Sequence, residues 1–110
     1  MANDDGTLQR LMQTIEDRKN NPSTRSYTTK LMAGGTEAIG AKVIEEAAEL
    51  VEAAGKSGAE GRDHLIHEAA DLVYHVFVLL GYRDVSLREV ESELARRFAT
   101  SGLDEKASRK

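Results

Sequence analysis

One proline and two glycine-containing breaks set most of what this chain can become. Pro22, the Gly34-Gly35 pair and the stretch from Gly55 to Gly61 divide the 110 residues into segments, and none shows the alternation of β-branched residues that a strand requires. The helical period recurs instead. Leu8, Leu11, Met12 and Ile15 stand at i, i+3, i+4, i+7, which predicts a helix over about Asp5 to Arg18 with these four in the core. "NNPSTRS" reads as a loop, "YTTKLMA" as a short helix capped by Ser26, and Thr36 as the cap of a long helix reaching Ala54. After a turn over Lys56 to Gly61, a helix from about Arg62 to Leu80 is apolar nearly all round, so it should be the central element, ended by Gly81. Ser86 with Glu89 forms a capping box, and Val85 with Val90 a hydrophobic staple; the last helix starts there and ends near Phe98. The expected fold is all-α, a bundle of about four to five helices. It forms a single domain over residues 1–98, followed by a disordered tail at 99–110.

The segment "AKVIEEAAELVEAA" carries the chemistry. At about 100° per residue, Ile39, Val43, Ala47, Leu50 and Ala54 share one face, the apolar stripe of an amphipathic helix. Glu46 falls at the edge of that stripe, with Glu49 one turn on and Glu45 and Glu52 further round. A half-buried carboxylate is costly unless something neutralises it. The next helix holds a matching pair, Glu68 and Asp71, also at i, i+3, and Asp71 lies among mostly apolar neighbours with Tyr74 and His75 nearby. Two helices joined by a short turn pack antiparallel, which brings Glu46-x-x-Glu49 opposite Glu68-x-x-Asp71. Only a cation makes four converging carboxylates cheap. Oxygen donors in a chain without cysteine select a hard ion, Mg²⁺ with Mn²⁺ as a substitute.

Weaker signals stand beside this one. An acidic run such as EEAAELVE is most often a solvated helix face, and on that reading the chain is a helical interaction module whose acidic surface docks a basic partner. A di-iron centre needs Glu-x-x-His on two helices, and the sequence has none. "GTEAIGAK" only mimics a phosphate loop, since its lysine is displaced and no strand precedes it. His64 and His67 read as surface residues near a helix start, and His75 as a hydrogen-bonded partner of an acid or of substrate. Lys42, one turn before Glu46, either reaches a phosphate or pairs with Glu45 or Glu46.

The net charge of −4 argues against a nucleic-acid surface held by charge alone. "MANDDGTLQR" lacks the apolar region of a leader, and the longest apolar run, Leu72 to Leu80, is interrupted by His75, so the expectation is a cytoplasmic protein with no membrane contact.

"KVIEEAAELVEAA" followed by "EAADLVYHVFVLL" resembles the all-α nucleoside triphosphate pyrophosphatases of the MazG type. Together with "NPSTRSYTTKLMAGG" and "SLREVESELARR", it resembles more narrowly the phosphoribosyl-ATP pyrophosphatases of histidine biosynthesis, over about Leu8 to Arg97. Ile44 departs from the small residue, often glycine, expected before the two glutamates. The resemblance implies a MazG-like bundle completed by a second copy as a homodimer, and hydrolysis of phosphoribosyl-ATP to phosphoribosyl-AMP and pyrophosphate. It implies Mg²⁺ held by Glu46, Glu49, Glu68 and Asp71. Glu45, Glu46 and Glu49 are then the catalytic carboxylates, with Glu45 orienting the water or the metal ligands. Arg25, Ser26, Tyr27, Lys30, Lys42 and His75 are the expected substrate contacts. A housecleaning pyrophosphatase for unusual deoxynucleotides shares the acidic motif but not the "SYTTKL" segment.

Overall fold

The structure, a computed structural model, describes residues 6–98. The expected helix start at Asp5 and the tail at 99–110 lie outside them. The described chain forms α1 (Thr7–Asn20), α2 (Tyr27–Ala33), α3 (Gly35–Ala54), α4 (Gly58–Tyr82) and α5 (Leu87–Phe98), with no strand among these residues. The all-α expectation holds.

Local chemistry explains the boundaries. The Ser26 hydroxyl accepts the Thr29 N–H at 3.1 Å and opens α2 as expected. Thr36 does not cap α3. Only Gly34 separates α2 from α3, and Gly35, at φ +70°, turns the chain in the left-handed region where a Cβ is penalised. α4 begins earlier than its apolar period suggests, at Gly58, whose φ of +81° lets the chain turn back after Ser57. It also runs past Gly81. That glycine is buried in the helix because a Cβ there would stand 2.9 Å from Ile15 Cγ2, so it sets how closely α1 approaches α4. At the far end the capping box forms as expected, Glu89 accepting the Ser86 N–H at 2.8 Å and the Ser86 hydroxyl accepting the Glu89 N–H at 3.2 Å.

Met12, Ile15, Leu31, Ile39, Phe77, Val78 and Leu87 make the core, and α1, α2 and α3 all pack on α4. Two assignments fail at helix ends. Leu8 is 51% exposed, lining an open cleft between the starts of α1 and α5; Ala54 is exposed while Ala53 is fully buried. Lys19 ties the end of α1 to the end of α4, donating to the Tyr82 carbonyl and to Asp84 Oδ1, each at 2.8 Å. The lysine thereby satisfies a carbonyl that the helix terminus leaves unpaired.

The α3–α4 hairpin has a regular seam. Ile39, Glu46 and Ala53 are buried on α3 at seven-residue spacing, and Gly61, Glu68 and His75 are buried on α4 at the same spacing. A seven-residue repeat keeps one side of a helix against its partner over several turns. In this antiparallel pair the small residues Ala53 and Gly61 fall toward the turn, and the two glutamates fall midway. The buried side of α3 therefore passes through Glu46 rather than beside it. α4 is long and apolar enough to cross a membrane by composition alone, its best 18-residue window reaching a mean hydropathy of 1.2. Its buried Glu68 and His75, and the three helices packed on it, make it the central helix of a bundle instead.

Candidate active site

Glu46 and Glu68 are 6% and 7% exposed, and Oε1 of each is buried with no hydrogen-bond partner. Carboxylate oxygens of Glu46, Glu49 and Glu68 lie within 4.8 Å of one another, and so do ligand atoms of His67, Glu68 and Asp71. Glu68 belongs to both groups. The structure thus brings Glu46 and Glu49 to Glu68 across the hairpin, while Asp71 joins them through Glu68 and through its charge on Glu46, its own carboxylate pairing with His67. Burial first of all, then the Glu68 carboxyl and the negative charge of Asp71, raise the Glu46 pKa above its ordinary value, partly offset by His75. A buried carboxylate oxygen without a donor costs about 1–3 kcal/mol or more. The fit to a cation is good: oxygens of three glutamates converge, and two of these residues each carry a buried oxygen without a donor, as a hard divalent ion requires.

The histidines hold this cluster from α4. His64 Nε2 lies 3.1 Å from Glu68 Oε2, and His67 Nε2 lies 3.2 Å from Asp71 Oδ2. His75 Nδ1 lies 2.9 Å from the Asp71 carbonyl, which can only accept, so Nδ1 carries the proton. Its Nε2 then accepts the Tyr27 hydroxyl at 3.0 Å. With both ring nitrogens engaged and 5% exposure, His75 stands under Tyr27 as a support and contacts the backbone of Asp71, not its carboxylate.

Of the expected substrate contacts, Tyr27, Lys42 and His75 act on the acids of α3. Tyr27 stacks on Tyr74 with centroids 6.1 Å apart and an interplanar angle of 19°, and remains 48% exposed. Thr28, beneath it, hydrogen-bonds to the Tyr74 hydroxyl. Desolvation raises the Tyr27 pKa, and the Lys42 charge opposes it, which places the start of α2 beside the acidic helix. Lys42 pairs with Glu45 at 3.2 Å, and that hydrogen bond raises its pKa. Glu45 is itself exposed and Glu49 half-buried. Arg25 and Lys30 are exposed, while the Ser26 hydroxyl is committed to its cap.

Comparison with known proteins separates an acidic helix pair from an enzyme site. The family model described as phosphoribosyl-ATP pyrophosphohydrolase matches residues 8–98, which contain the acid cluster and every residue that supports it. The chain belongs to that family. A protein named phosphoribosyl-ATP pyrophosphatase from Rhodopirellula baltica is 57% identical over 102 residues, covering 93% of this chain and 85% of the relative. Those bearing the same name from Geotalea daltonii and Rhodobacter capsulatus are 51% and 49% identical, covering 96% and 93% of this chain and 96% of each relative.

Within this pyrophosphohydrolase, the acids were visible in the sequence and the residues that hold them were not. His64 reads from sequence as a surface group, yet it is half-buried against Glu68. The available signal was the i, i+4 spacing of His64 to Glu68 and of His67 to Asp71, the reach of a helical side-chain pair. The spacing of Asp71 to His75 is the same, but its bond runs to the main chain.

Proposed function

We propose that this chain hydrolyses phosphoribosyl-ATP to phosphoribosyl-AMP and pyrophosphate in histidine biosynthesis, at the acid cluster between α3 and α4. The observation that carries the site is the pair of orphaned oxygens on Glu46 and Glu68. Glu46, Glu49, Glu68 and Asp71 would hold Mg²⁺ or Mn²⁺, which when bound neutralises phosphate charge and polarises the phosphoryl group. Glu45, at the rim, would orient the attacking water, with Glu46 and Glu49 completing the catalytic set. Lys42, Lys30 and Arg25 offer cations to the phosphates and the phosphoribosyl end, and Tyr27 offers an exposed ring face held from below by His75.

A homodimer belongs to this reading. Ala41, Ile44, Ala48 and Val51 form a second apolar stripe on α3, roughly opposite the first, with Ile44 73% and Val51 72% exposed. Only 28% of the apolar window of α4 is buried within one copy. A second copy would cover such surface. Ile44, unusual in sequence, then serves the outer stripe.

The test is release of pyrophosphate from phosphoribosyl-ATP by the purified chain, beside dCTP and dUTP, with and without EDTA. Turnover of phosphoribosyl-ATP that EDTA abolishes is expected. Preference for a deoxynucleotide would transfer the site to the housecleaning class, and full turnover in EDTA would remove the metal.

A further inference from the structure

We propose that Lys56, from the α3–α4 turn, and His64 form a donor chain that fixes the Glu68 carboxylate for cation binding, making His64 a positioning residue of the site. This rests on the metal reading above. Lys56 Nζ lies 3.1 Å from His64 Nδ1, and His64 Nε2 lies 3.1 Å from Glu68 Oε2. An ammonium group can only donate, so Nδ1 must present its lone pair to Lys56. The imidazole proton therefore sits on Nε2 and is donated to Glu68. One carboxylate oxygen is thereby tied down, and the other, Oε1, is left buried without a donor on a carboxyl that meets Glu46. A carboxylate ligand held by an outer donor loses rotational freedom before the ion arrives, and such supports commonly set metal affinity by about 10–100-fold.

Gly61 makes the geometry accessible. A Cβ at that position would stand 2.6 Å from the Lys56 carbonyl oxygen and 2.7 Å from its carbon, main-chain atoms that cannot move aside alone. Only glycine lets the turn lie against the first turns of α4, where Lys56 reaches His64. The turn thus takes part in the site although it carries no ligand.

The measurement is Mn²⁺ affinity of the full chain, read as free Mn²⁺ by electron paramagnetic resonance, for the parent, His64→Leu, His64→Gln, Lys56→Met and Glu68→Gln. Glutamine keeps an N–H donor for Glu68; leucine does not. His64→Leu is expected to bind about tenfold or more weakly, His64→Gln to stay within about threefold of the parent, and Lys56→Met to fall between. If His64→Leu binds like the parent, or if glutamine is as damaging as leucine, the donor role is overturned. Glu68→Gln separates the two levels of the argument. Parent-like binding by that variant overturns the metal reading and this proposal with it, whereas its loss beside an unaffected His64→Leu overturns the donor chain alone.

Discussion

Glu46 on α3 and Glu68 on α4 meet midway along two facing seams, each with one carboxylate oxygen buried and unpartnered. A hydrophobic pair would pack there more cheaply, so the fold carries at its centre a contact that works against its own stability until it is neutralised.

The first expectation concerns Glu46→Gln. The Glu46 pKa is raised above the usual 4.5, so the native state holds that proton more tightly than the unfolded chain does. Without metal, the stability from this group is full below the unfolded value and is lost as pH rises through the raised native one. Melting curves in EDTA should show that decline in the parent and not in Glu46→Gln, which at neutral pH should be as stable as the parent or more, by on the order of 1 kcal/mol. An ion that binds only the folded state reverses the order by raising the parent's Tm. Equal Mn²⁺-induced shifts in both proteins would refute the cluster.

Asp71→Asn and Glu49→Gln change charge at nearly constant shape. Each is expected to lower kcat by orders of magnitude while the helical circular dichroism stays at the parent level. Near-parent turnover in either variant removes that residue from the ligand set.

Lys42 is paired with Glu45 at the rim of the site. Lys42→Ala should raise KM for phosphoribosyl-ATP with kcat largely kept, as for a phosphate contact already made in the ground state. An unchanged KM leaves the lysine as a surface ion pair.

The two apolar stripes of α3 separate by experiment. Ile39→Ala, at a fully buried site, is expected to cost about 2–5 kcal/mol in chemical denaturation. Ile44→Glu with Val51→Glu should instead move the protein toward a monomer in sedimentation velocity. A monomeric parent would dispose of the dimer.

The helices and the four acids were readable in the sequence because their signals are local: an apolar period, a capping box, two i, i+3 pairs. Four features were not, each for a physical reason. Thr36 looks like a cap, but the cap position belongs to Gly34, since Gly35 supplies the turn. Gly81 looks like a stop, but a glycine that lets two helices touch has the same letter as one that ends a helix. The seam runs at a period of seven through Ile39, Glu46 and Ala53, and a helix-average stripe assigns Ala54 in place of Ala53 and sets Glu46 at the margin. The hold of Lys56 on His64 depends on a turn whose path only coordinates reveal.

Lys19, which joins α1 to Tyr82 and Asp84, bears on the order in which the protein assembles. The acid cluster is made of neighbours along the chain: α3, a short turn and α4 close on each other as soon as both exist, and contacts of low sequence separation form fast. α1 is synthesised before them, but its seat, beside Gly81 and under the carbonyl of Tyr82, does not exist until α4 is complete. α1 thus precedes the hairpin along the chain yet takes its full seat only after α4 is complete, when the acid-bearing pair of helices has already closed.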